Sequence, residues 1–169
     1  MAILRRRERP PEQVLDALDA GERVLSWADA DDGAQVFATP RGVWWPEGSG
    51  GEGWRLIPWQ YIDKATWRDG WLAVTEADVV DDLLLVDRPA VTAKLQRPRD
   101  LPPTIRKRVE ANVVRSELLT IAGGAVRFVA RKQPGKDGVM WWARLEHGTR
   151  DCDEVRSAVR ARLTILRTS

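Results

Sequence analysis

Residues 41–59, RGVWWPEGSGGEGWRLIPW, decide the fold class, because five glycines among four tryptophans admit two incompatible readings. Gly48, Gly50 and Gly53 satisfy the letters of a GxGxxG dinucleotide loop, which works only when its last glycine opens a helix whose N-terminus receives pyrophosphate. Gly53 instead leads into WRLIPW, a strand pattern carrying a proline that a helix interior would reject. The glycines therefore read as a hairpin tip, and the flanking segments as two strands of a sheet.

Outward from this hairpin, changes of period locate the neighbouring elements. Upstream, PPEQVLDALDAG predicts a short helix with Val14, Leu15 and Leu18 on one stripe and Gly21 near its end. RVLSWADA alternates as a strand, DDG at 31–33 as a turn, and AQVFAT meets GVWW through Thr39-Pro40-Arg41-Gly42. Downstream, Asp69-Gly70 marks a hairpin between strands ending at Trp67 and starting at Trp71, and LLLVD (83–87) and VTAKL (91–95) supply two more. RPRDLPP interrupts, and Ile105, Val109 and Val113 set a helix from Pro103 to about Val113. VVRSELLTI, AVRFVARK and VMWWARLE then form a three-stranded meander. A terminal helix comes last, with the stripe Val155, Val159, Leu163 and Leu166, with Asp151 or Asp153 as its cap, and with Glu154 and Arg167 suited to its dipole. No linker divides the chain, so the expectation is a flexible basic arm over 1–10 and a single α+β domain over 11–169.

The composition excludes several chemistries. One cysteine, Cys152, and one histidine, His147, form neither a disulfide nor a Cys/His zinc site within the chain, and a turn and a packing position account for both. Asp31-Asp32, Asp81-Asp82 and Asp78 sit in turns, where water denies them the separated pKa values of an acid–base pair, and Val79 and Val80 break any calcium-loop pattern. The expectation is no enzyme, no metal and no cofactor. No apolar run nears the roughly 20 residues of a membrane span, and no apolar segment of signal-peptide type comes after MAILRRRERP, which fits a cytoplasmic protein. The net charge of +2 conceals a basic start, an acidic stretch over 10–100 and a basic final third.

Thr39, Arg41 and Val43, with Arg55, Ile57, Pro58, Trp59 and Ile62 after them, carry a family pattern. On these positions residues 20–90 resemble the bacterial pleckstrin-homology-like domains, and the arginine-rich composition fits a high-GC bacterial member. The resemblance implies a bent antiparallel sheet or open barrel closed at one end by an amphipathic helix, for which 103–113 or 153–166 could serve; with the C-terminal helix as the cap, the N-terminal and middle helices are extras. It also implies binding of phosphoinositide, peptide or protein. The first strand-to-strand loop, Asp29 to Gly33, is acidic where a lipid-binding member is basic, so phosphoinositide is disfavoured and protein interaction remains.

The expected function is thus a non-enzymatic protein-interaction module. Its candidate residues are the adjacent pairs Trp44-Trp45 and Trp141-Trp142, since neighbours on a strand face opposite ways and one ring of each pair needs a cover, by a helix, a partner or a second copy in a homodimer. Arg162 joins them because it falls within the apolar arc of the terminal helix and needs an acid. The alternative is peripheral association with an anionic membrane or nucleic acid through Arg5, Arg6, Arg7 and the basic final third.

Overall fold

The structure, a computed structural model, describes residues 8–48 and 52–169. Arg5, Arg6 and Arg7, and Gly50 of the hairpin tip, lie outside the described residues. The strands are β1 (Ser26–Ala30), β2 (Gln35–Thr39), β3 (Gly42–Glu47), β4 (Gly53–Pro58), β5 (Ile62–Arg68), β6 (Trp71–Val80), β7 (Leu84–Asp87), β8 (Val91–Arg97), β9 (Val113–Ile121), β10 (Gly124–Lys132) and β11 (Val139–Leu145). The helices are α1 (Glu12–Asp16), α2 (Leu101–Asn112) and α3 (Asp153–Thr168), and a 3-10 turn spans Trp59–Tyr61.

The strands form one open, bent sheet in the order β4-β3-β2-β1-β8-β6-β7-β11-β10-β9, with β5 branching from β6. Its pivot is the ten-residue β6. Residues 71–74 pair with β8 and residues 71–76 with β5, while residues 77–80 pair with β7. One strand therefore belongs to two sheet regions. The pairing is antiparallel except between β7 and β11, which corrects the wholly antiparallel expectation. A parallel pair needs a long crossover, and β8, α2, β9 and β10 together supply it.

Two main cores result from this arrangement. The first gathers Ala28, Val36, Val43, Trp45, Ile57, Trp59, Ile62, Leu72 and Val74 under Leu101, Ile105 and Val109 of α2. The second gathers Leu84, Val126, Phe128, Trp141 and Ala143 under Val155, Val159, Leu163 and Leu166 of α3. A terminal cap holds for the late strands only: α3 covers β7, β10 and β11, while the strands from β1 to β6 and β8 lie under α2, the other helix that could serve. Chain order explains it, because each amphipathic helix folds back on the strands that precede it. Helix α2 starts two residues before the expected Pro103, since prolines at the first helical positions have no N–H to lose. Helix α3 has Cys152 at its N-cap with no side-chain cap, because Asp151 holds Arg156 at 2.7 Å instead.

Alternation fails in β1, where Ser26, Trp27 and Ala28 are all buried. Helix α1 covers the outer face, placing Val14 against Trp27 and Phe37. Phe37 stacks on Trp44 at 5.8 Å and meets Trp54 edge-on at 5.6 Å, so this face is a smaller, aromatic core.

Candidate functional site

The opening hairpin is a structural stitch. Trp59 donates from Nε1 to the Thr39 carbonyl at 3.0 Å and from its backbone N–H to the Arg41 carbonyl, while Thr39 Oγ1 accepts the Arg41 N–H at 3.2 Å. Gly42 crosses close enough to the Ile57 carbonyl that no Cβ fits there. Arg55 pairs with Glu76 at 2.6 Å, tying β4 to β6. The residues carrying the resemblance thus hold the β2–β3–β4 corner together.

Three of the four candidate tryptophans are buried and the fourth, Trp44, is partly so. Trp45 belongs to the first core and Trp141 to the second. Trp44 stacks on Phe37 at the border of the aromatic core, and its Nε1 donates to Glu22 at 2.9 Å. Trp142 packs with Ala77, Leu85 and Val129 between the two sheet regions. The ring of each pair that needed a cover thus finds one in this chain, nearly complete for Trp142 and partial for Trp44. Arg162 finds its acid as well, in a two-pronged pair with Glu117 at 2.6 and 3.0 Å. Those bonds from Arg162 hold the Glu117 carboxyl below its usual range.

The aspartates around the β6–β7 turn are engaged by arginine, and Asp78 lies in β6 itself rather than in a turn. Asp78 pairs with Arg88, Asp81 with Arg156, and Asp82 with Arg167 at 3.6 Å. His147 is exposed and Cys152 packs partly against the second core.

What remains open is the side of the first core between β5 and α2. Strand β5 pairs only with β6, and the backbone of Lys64–Trp67 bonds to no other element among the described residues. A register shift between Ile62 and Lys64 places Ala65 opposite Val74 and Trp67 opposite Leu72, so both turn toward the core side after the bulge. There they face Pro102, Pro103 and Val109 of α2 across a groove of about 640 Å³. Arg106 and Glu110 on α2 and Asp63 and Lys64 on β5 supply charges of both signs along its rim. Trp67 is 42 % exposed at the groove's end, where the Asp69-Gly70 turn carries the strand beyond the reach of α2.

Trp71, 48 % exposed across the same hairpin, borders a second, shallower cleft with Lys94, Asp31 and Asp32. Neither Trp67 nor Trp71 stood out in the sequence, where adjacent pairs drew attention instead. The available signal was position: a tryptophan on each side of a two-residue turn sits at the sheet's end, where covering elements run out. Comparisons with known protein families, with curated proteins and with solved structures return no match for this chain.

Proposed function

We propose that the chain is a non-enzymatic protein-interaction module of pleckstrin-homology-like architecture, which takes an extended peptide of a partner protein along β5. The bent strand set β4-β3-β2-β1-β8-β6-β5, joined through β8 directly to α2, supports the architecture. The single observation behind the activity is an unpaired strand edge beside an apolar groove. Strand addition supplies main-chain hydrogen bonds, and a groove under alternate side chains supplies selectivity. Trp67 is the anchor, since a rigid, partly uncovered indole gives large contact area with little conformational freedom to lose.

A random peptide display library selected on the immobilised chain should yield sequences with apolar residues at alternate positions. Trp67→Ala should weaken their binding by about tenfold or more. Bound peptide should also slow amide exchange across residues 64–67. Failure to select a saturable binder, or binders indifferent to Trp67→Ala, removes the reading.

A further inference from the structure

A second free edge lies at the far end of the sheet. Strand β9 is the last in the order, and among the described residues its backbone bonds only to β10. The opposite end is blunted, because β4 has six residues, finishes in Pro58 and is drawn back to β6 by the Arg55–Glu76 pair. Strand β9 has nine residues, VVRSELLTI, with no proline, glycine or lysine. Its one irregularity is an extra residue at Val114, where the strand leaves α2. A long edge with so few blunting devices is a template for another strand, and Val114 and Leu118 on it are 50 % and 54 % exposed.

The residues of β9 are sorted by face. Arg115 and Glu117 lie opposite Ala130 and Phe128 of the second core, on the side that α3 covers, while Ser116 and Leu118 lie opposite Val129 and Arg127 on the other side. Arg115 has no ion-pair partner among the described residues, and its guanidinium lies 5.9 Å from the Trp141 ring. Glu117 is held by Arg162, but its carboxylate oxygens keep lone pairs for a second guanidinium.

We infer that β9 pairs antiparallel with β9 of a second copy of this chain, about a two-fold axis at Ser116, so that two sheets become one. Such an axis keeps each face of the sheet continuous, and a residue meets one of its own face. With the axis at Ser116, Arg115 stands opposite the second copy's Glu117 and Val114 opposite its Leu118, and symmetry makes each contact twice. Moving the axis by one residue sets Arg115 against its own copy or Glu117 against its own, and like charges directly opposite are destabilising. An axis at Leu118 avoids that conflict but leaves Arg115 opposite Ile121. The strand is thus complementary to itself in one register, which is what selects a second copy as the occupant. Pairing β9 with the β5 edge of another copy would be head-to-tail and open-ended, whereas β9 on β9 closes at two.

Sedimentation equilibrium of the full chain should show a monomer–dimer equilibrium with a dissociation constant on the order of 10 µM, as a small interface gives. Arg115→Glu and Glu117→Lys should each weaken the dimer about tenfold or more, because each sets two like-charge pairs across the axis. An equimolar mixture of the two variants should restore it, since both pairs are then of opposite sign. Trp67→Ala, in the β5 groove, should leave the dimer unchanged. Glu117→Lys also takes the acid from Arg162; if that variant does not fold, Leu118→Glu at an exposed position decides, with the same weakening expected. A monomer at all concentrations up to about 1 mM, a dimer indifferent to Arg115→Glu or Leu118→Glu, two folded variants that fail to restore each other, or a dimer lost with Trp67→Ala each overturns the inference. The first three of these leave peptide binding at β5 untouched.

Discussion

Glu22 shows how one side chain ties the N-terminal segment to the sheet. Its carboxylate is 4 % exposed, and it accepts from Trp44 Nε1 at 2.9 Å and from the Asp19 N–H at 3.2 Å, with Arg41 close by. Burial by itself pushes the Glu22 carboxyl up, but the hydrogen bonds from Thr39, Trp44 and Asp19 and the charge of Arg41 together bring it below the usual glutamate value. The unfolded chain then binds a proton more readily than the folded one as pH falls. The stability Glu22 contributes is present in full above the ordinary carboxylate range and is lost as pH drops through and below it. Glu22→Gln should therefore cost about 1–2 kcal/mol at neutral pH, and the gap between variant and wild type in urea denaturation should close in acid. A gap that persists unchanged in acid would show that the ionised carboxylate is not the stabilising form.

At the scale of elements, the β3–β4 hairpin depends on a glycine for space where its neighbours need none. A Cβ at Gly42 meets the Ile57 carbonyl and backbone, whereas one at Gly53 meets nothing within 4 Å. Gly42→Ala should cost about 3 kcal/mol by forcing the strands apart, and Gly53→Ala should be close to neutral; the midpoints of urea unfolding measure both. A small cost at Gly42 would mean that the turn shifts freely. Most of these elements were legible in the sequence, because alternation, the Asp-Gly turn and the apolar stripe of α3 act over a few residues. The boundaries of α2 and the cap of α3 were not, since they depend on which side chains are drawn elsewhere, as Asp151 is by Arg156.

For the whole molecule, the joint between the two sheet regions carries a charge network around one buried arginine. Arg131, 3 % exposed, donates to the Ile62 carbonyl at 2.8 Å and lies 3.9 Å from Asp63, which also pairs with Arg144 at 3.1 Å. Arg144 reaches on to Asp87 at 2.7 Å. Burial pushes the Arg131 guanidinium below its ordinary value, and Asp63 partly restores it. Asp63→Ala strands Arg131 without a carboxylate in pairing distance and should cost about 3 kcal/mol. Arg131→Met added to it should recover part of that loss, because the stranded charge is then gone. A double variant no better than Asp63→Ala, in chemical denaturation, would rule out the network as the joint between the regions.

The amino-acid sequence determined the strands, the turns and the amphipathic stripes, and it removed the dinucleotide reading of the glycine hairpin, because each of these rests on backbone preferences and side-chain periods local to a few residues. Only the tertiary structure decided which helix covers which sheet, and that Trp142 is buried inside the fold and Trp44 partly covered while Trp67 is left 42 % exposed. Those outcomes depend on contacts between segments far apart in the chain. Every strand buries what it can, and the position where cover runs out is set by how the whole sheet bends and branches at β6.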